Sequence, residues 1–136
     1  MATRLARGRF PSMTTRILLI DDHPAYLDRA RALLEAQEGV EVVGIAQSGE
    51  EAIRLCGVLR PDLVLVDYQM PGLNGIETTR ALKVRDPTLP VVIVTGYDYD
   101  EYRTAAAEAG AADFVSKLEF VDELSRILAE HARSRT

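Results

Sequence analysis

Four short apolar runs punctuate the chain: Ile17 to Ile20, Leu63 to Val66, Val91 to Val94, and the pair Phe114 and Val115. Each is too short for a helix and rich in branched side chains, as expected of central strands in a parallel sheet buried on both faces. A fifth stretch, Val40 to Ala46, is interrupted by Glu41 and Gly44 and suits an edge strand. The segments between the runs carry helical spacing instead. Tyr26, Leu27, Ala30, Leu33 and Leu34 form one stripe; Ala52, Ile53, Cys56 and Leu59 form a second; Leu124, Ile127, Leu128 and His131 form a third. Helix punctuation agrees. Pro24 suits a first helical position, Ser48 with Glu51 has capping-box spacing, and Gly39 and Gly110 stand where helices should stop.

This alternation amounts to five β-α units in about 120 residues. It predicts an α/β fold, a doubly wound five-stranded parallel sheet, because right-handed crossovers lay the helices over both of its faces. The edge character of the second strand fits the strand order 2-1-3-4-5.

Length and charge narrow the class. A chain of 136 residues, 47% of them hydrophobic, suits one domain with a proper core. That domain is expected over residues 16–133, with a short C-terminal tail over 134–136. Residues 1–15 contain Gly8, Pro11 and no apolar period, and are expected to form a disordered basic tail. The net charge is −5, and the tail contributes Arg4, Arg7 and Arg9 with no acid, so the remainder carries −8. An acidic body repels nucleic-acid phosphates and anionic lipid, so neither nucleic acid nor membrane is an expected partner. Cys56 is the one cysteine and can form no intrachain disulfide, and no run reaches the roughly 18 apolar residues of a membrane helix. The start also lacks the apolar middle of a signal peptide, which makes the cytoplasm the expected compartment.

The candidate chemistry lies at the ends of the apolar runs. Asp21 and Asp22 follow the first, Asp67 the second central run, Thr95 the third, and Lys117 the last. In an open parallel sheet, ligands bind beyond the carboxyl ends of the strands, so these five residues are expected to converge there. Three carboxylates and one ammonium leave a charge of −2, which a divalent cation neutralises. Oxygen-only donors with room for water and phosphate favour Mg²⁺, with Mn²⁺ as an alternative occupant. Phosphoryl transfer asks a protein mainly to position groups and to neutralise charge on the equatorial oxygens. Asp67 then serves as nucleophile, Lys117 and the metal neutralise phosphoryl oxygens, Thr95 donates a hydrogen bond, and Asp21 and Asp22 hold the metal.

Four motifs carry a family resemblance: Asp21-Asp22-His23-Pro24, Asp67-Tyr68-Gln69-Met70-Pro71-Gly72-Leu73-Asn74-Gly75, Val94-Thr95-Gly96, and Gly110-Ala111-Ala112-Asp113-Phe114-Val115-Ser116-Lys117. Each is weak alone. In this order, each at the end of an apolar run, they resemble the receiver domain of bacterial two-component response regulators over residues 16 to about 131. The resemblance implies the flavodoxin-like receiver fold and phosphorylation of Asp67 by a sensor histidine kinase or a phosphotransfer protein. It implies that Asp22, Asp67 and the backbone carbonyl of Gln69 are direct metal ligands, with Asp21 acting through water. It also implies a switch in which Thr95 moves toward the phosphoryl group and Phe114 fills the space it leaves. Family members commonly have a cis proline after the lysine. Here Leu118 follows, and a cis non-proline bond costs about 2.5–4 kcal/mol, so a trans Lys117–Leu118 bond is expected.

Simpler readings stand beside these. His23 with Pro24 suits a plain helix start rather than a ligand, and His131 suits the negative end of a helix dipole. Pro71-Gly72 and Asn74-Gly75 read first as turn chemistry, and Phe114 as a packed ring. The segment Gly96 to Tyr102 holds Tyr97, Tyr99 and Tyr102, more aromatic surface than one helical face easily buries, so at least one ring is expected to face solvent on a partner-binding surface. The output partner is then a downstream protein or a second copy of the chain. The competing function is an interaction or dimerisation module that keeps the fold without phosphorylation, although such modules usually lose an acid or the lysine. A flavodoxin is disfavoured because Asp21 and Asp22 would repel a flavin phosphate. An Asp-nucleophile phosphohydrolase places its nucleophile after the first strand and adds a cap domain. The expectation is a phosphoryl-accepting switch that turns over only its own aspartyl phosphate. Only Arg133 to Thr136 follow the last expected helix, which suits a receiver that stands alone or a segment cut at its linker.

Overall fold

The computed structural model describes residues 14–133. Five strands, β1 (Thr15–Ile20), β2 (Val40–Ala46), β3 (Leu63–Asp67), β4 (Val91–Thr95) and β5 (Asp113–Ser116), alternate with five helices, α1 (Pro24–Glu35), α2 (Gly49–Leu59), α3 (Gly75–Arg85), α4 (Asp100–Ala109) and α5 (Phe120–His131). All strand pairs are parallel, and the sheet order is β2-β1-β3-β4-β5. The expected doubly wound topology is therefore the one found. Thr15, placed in the tail by the sequence reading, opens β1 and pairs with Val40. The rest of the expected N-terminal tail, apart from Thr14, and the expected tail over 134–136 lie outside the described residues.

Each central strand sends alternate side chains to opposite faces. Leu18, Ile20, Val64, Val66, Val91, Ile93 and Phe114 meet Ala52, Ile76, Leu82 and Ala106 beneath α2, α3 and α4. Ile17, Leu19, Leu65, Val92, Val94 and Val115 meet Leu27, Ala30 and Leu34 of α1 and Phe120, Leu124 and Ile127 of α5. Continuous apolar runs are what a strand covered on both faces needs, and β3 and β4 are buried along their whole length. The interruption in β2 also has a cause. The β1–β2 register shifts between Ile17 and Leu18, and a Cβ on Gly44 would lie 2.6 Å from the Leu59 side chain. An edge strand tolerates such a bulge.

Helix ends follow their chemistry with two adjustments. The Ser48 side chain accepts from the Glu51 amide at 3.1 Å, but the Glu51 carboxylate reaches back to the Gln47 amide at 2.8 Å rather than to Ser48. The reciprocal capping box belongs to α3, where Asn74 and Glu77 each accept from the other's backbone amide at 2.9 and 3.0 Å. Gly75 closes the root of the β3–α3 loop. Its amide donates to the Tyr68 carbonyl at 2.7 Å, and a Cβ there would press on the Asp67 carbonyl and lie 2.8 Å from Tyr68 Cα.

Candidate functional site

The sheet order makes β1, β3 and β4 neighbours, so the residues at their carboxyl ends meet by construction. Asp21 follows β1, Asp67 closes β3, Thr95 closes β4, and Lys117 follows β5. Asp21, Asp67 and Thr95 are 1%, 5% and 1% exposed, unusual burial for two carboxylates unless they are paired or hydrogen-bonded. The expected cluster is brought together. Ligand atoms of Asp21, Asp22, His23 and Asp67 lie within 4.8 Å of one another, and Lys117 reaches Asp21 Oδ2 at 2.8 Å and Asp67 Oδ1 at 3.7 Å.

The three acids are not equivalent. Both oxygens of Asp21 are engaged: Oδ1 accepts from the His23 amide at 2.9 Å and contacts the His23 ring Nδ1 at 2.8 Å, while Oδ2 accepts from Lys117. Asp22 Oδ1 is buried with no hydrogen-bond partner, although His23 Nδ1 lies 3.2 Å away. Asp67 is lifted from the ordinary carboxylate value of 3.8 to about 6, first by burial and then by the Asp21 charge, with Lys117 opposing both. An unsatisfied buried oxygen beside two further carboxylates fits a hard divalent cation better than any neutral occupant.

Thr95 Oγ1 accepts from the Tyr97 amide at 3.1 Å, which keeps the hydroxyl's own proton available as a donor. The Thr95 carbonyl accepts from the Lys117 amide at 2.7 Å and ties the β4 end to the lysine. Asp67, Gln69, Thr95, Tyr97, Lys117 and His23 border a cleft of about 340 Å³. The side chain of Gln69 turns to Tyr102, donating to its hydroxyl at 3.3 Å. Phe114 lies outside this cleft. It is 6% exposed and packs on the α2-α3-α4 face, with the Arg103 guanidinium 4.9 Å from its ring centroid. Arg103 also pairs with Asp98 through two contacts of 2.7 and 2.9 Å. No peptide bond among the described residues is cis, so Lys117–Leu118 is trans, and Leu118 is 93% exposed.

Two participants were not expected. His23 does start α1, as its N-cap, but its ring joins the acid cluster, and the Asp21 contact and Asp22 charge raise its pKa. Tyr26, expected only as part of an apolar stripe, lies with its ring centroid 4.0 Å from Lys117 Nζ. The motif Asp-Asp-His could have pointed to His23; nothing local signals the Tyr26 contact, which depends on α1 packing against β1 and β2 while Lys117 reaches in from the end of β5. Tyr97 and Tyr99 are 52% and 51% exposed, whereas half-buried Tyr102 stacks on Tyr68 at 4.0 Å. Among the described residues no helix is long and apolar enough to cross a membrane.

Comparison with known proteins agrees with this geometry. Residues 17–129 match the response regulator receiver domain. Response regulator GacA of Pseudomonas aeruginosa is 36% identical over 115 residues, covering 85% of this chain and 54% of GacA. The chain thus spans about half the length of that curated relative. A LuxR-family two-component response regulator from Aurantimonas superposes with a TM-score of 0.81 at 36% identity, over 88% of this chain and 89% of that one. The signal receiver domain of the putative response regulator NarL from Mycobacterium tuberculosis gives 0.78 at 28% identity, over 87% and 98%. The buried acids at the sheet's carboxyl edge, the lysine beside them and these matches together show that the chain belongs to the response regulator receiver domain family of two-component signalling.

Proposed function

We propose that the chain is a phosphoryl-accepting switch whose nucleophile is Asp67. The observation that carries this reading is the position of the Asp67 carboxylate, buried at the floor of an open cleft with the Lys117 ammonium 3.7 Å away and the orphaned Asp22 oxygen in the same cluster. The donor is a phosphohistidine on a sensor histidine kinase or phosphotransfer protein. An Asp67 oxygen attacks phosphorus, the P–N bond breaks as the P–O bond forms, and the electron pair returns to the donor imidazole. Lys117 neutralises one phosphoryl oxygen and Thr95 donates to another. Asp22, Asp67 and the Gln69 carbonyl would hold the cation directly, and Asp21, with both oxygens already engaged by His23 and Lys117, would act through water. Bound Mg²⁺, or Mn²⁺ in its place, screens the nucleophile from the anionic donor and offsets charge on the phosphoryl oxygens.

The output runs through the segment after Thr95. Movement of Thr95 toward the phosphoryl group releases the Tyr97 amide, and Phe114, held beneath Arg103, shifts toward the vacated space. Exposed Tyr97 and Tyr99, with Tyr102 behind them, then form the surface read by a downstream protein or a second copy. Incubation with Mg²⁺ and acetyl phosphate tests the reading. One alkali-labile phosphoryl group per chain, lost in Asp67→Asn, is the expected result; uptake that survives Asp67→Asn would place the acceptor elsewhere.

A further inference from the structure

At the end of the sheet opposite Asp67 the chain forms a groove that phosphoryl transfer does not use. Its cavity of about 420 Å³ lies between α2 and α3, beside the residues that lead into β3 and β4. Ile53, Leu82 and Leu89 give it an apolar lining, to which Cys56 adds a half-buried thiol. Arg60 and Arg85 stand at its exposed edge. On this face Arg133 pairs with Asp86 at 2.7 Å and Arg54 with Glu51 at 4.0 Å, and no ion pair among the described residues includes Arg60 or Arg85. Arg133 is further fixed by the Thr88 hydroxyl at 2.9 Å and the Pro61 carbonyl at 2.8 Å, so it walls the groove rather than offering a charge to it.

An apolar cavity of a few hundred Å³ with a few placed charges is the ordinary build of a small-molecule site. Four charged residues line this groove: Arg133 and Asp86 pair with each other, which leaves Arg60 and Arg85 as its net charge, so complementarity selects an anion. A compact anion would leave the apolar lining wet, and a neutral hydrocarbon would leave both guanidinium groups unused. A planar carboxylate matches the guanidinium fork. Gly57 lowers the wall of the groove: a Cβ there would meet no atom within 4 Å, in a helix where glycine is among the poorest formers. We propose that this groove binds a small amphipathic carboxylate, an aliphatic or aryl acid whose body lies over Ile53, Leu82 and Leu89 and whose head is held by Arg60 and Arg85.

The test titrates 2-naphthoate and octanoate onto the full chain, followed by methyl NMR and by protection of Cys56, the one cysteine, from a thiol reagent. Saturable one-to-one shifts at Ile53, Leu82 and Leu89 and slower Cys56 labelling are expected, with neither acetate nor 2-naphthalenemethanol saturating. The double variant Arg60→Ala, Arg85→Ala should weaken naphthoate binding at least about tenfold. Gly57→Leu should fill the groove and abolish binding while the spectrum stays that of a folded chain. Three results would overturn the proposal: no saturable binding by the parent, equal affinity for the neutral alcohol, or affinity unchanged in both variants. Cys56 labelling that slows with rising protein concentration and no ligand would also overturn it, and would assign the groove to a second copy of the chain.

Discussion

Lys117 holds its ammonium 2.8 Å from Asp21 Oδ2 and 3.7 Å from Asp67 Oδ1, so one cation serves two buried carboxylates. The backbone secures it, because the Lys117 amide donates to the Thr95 carbonyl. Replacing Lys117 by methionine keeps the stem and removes the charge. Removing one partner of a buried charge pair leaves the other uncompensated. Lys117→Met should therefore destabilise the metal-free protein at pH 7 by about 2–4 kcal/mol, with millimolar Mg²⁺ restoring part of the loss. Urea unfolding with and without Mg²⁺ measures it, and a stability equal to the parent's would mean the two acids are already solvated.

Asp67 makes the metal-free protein sensitive to pH in a direction opposite to most paired carboxylates. Its folded value of about 6 lies above its ordinary 3.8, so between these values the folded state keeps a proton that the unfolded state has released. Its contribution to stability is present below about pH 4 and is lost as pH rises through about 6. The full shift corresponds to about 3 kcal/mol, which water at the open cleft reduces to about 1–2. Asp67→Asn should remove this slope and leave the metal-free variant more stable than the parent at pH 7.5. Parallel stability profiles for the two proteins from pH 4.5 to 7.5 would contradict it.

The orphaned Asp22 oxygen and the Asp21 carboxylate, engaged on both oxygens, predict an order of metal affinities. Asp22→Ala should weaken Mg²⁺ binding by more than about a hundredfold, and Asp21→Ala by about ten- to a hundredfold, the range for groups acting behind the direct ligands. Calorimetric titration gives the order directly. A greater loss in Asp21→Ala would exchange their roles.

For the output surface, Tyr99→Ala should reduce phosphoryl-dependent self-association or target binding more than tenfold, the scale of an aromatic anchor. Tyr102→Ala should act more broadly, because its ring also stacks on Tyr68 beside Asp67. Analytical ultracentrifugation with and without beryllofluoride measures both variants. Unchanged association in both would move the output surface away from this segment.

The strands and the acid cluster were legible because burial on both faces forces continuous apolar runs, and the strand ends then dictate where polar residues meet. The third and fourth helices were visible only through the alternation. α3 buries Thr78 and Thr79 beside Ile76 and Leu82, so its inner face carries no apolar stripe, and its capping box resembled an Asn-Gly turn. The inner face of α4 is alanine, too slight a signal for periodicity. His131 was read as a partner of the helix dipole. It does stand in the last turn of α5, and its ring also contacts Asp113 Oδ2 at 2.9 Å, a partner 18 residues away that the packing of α5 on β5 provides. Burial would raise the Asp113 carboxyl, but hydrogen bonds from His131, the Phe114 amide and Arg126 hold it below the ordinary value.

The closure of the β3–α3 loop at Gly75 divides that loop into two evolutionary regimes. At its tip Pro71 and Gly72 are exposed, so Pro71 can be exchanged without touching Asp67, while Gly72, at a φ of +73°, favours glycine through its own backbone rather than through a neighbour. Its root has no such latitude, because a single added methyl at position 75 would press on the carbonyl of Asp67 itself. Of the seven residues between Asp67 and Gly75, those at the exposed tip answer to solvent, while the root answers to the Asp67 backbone.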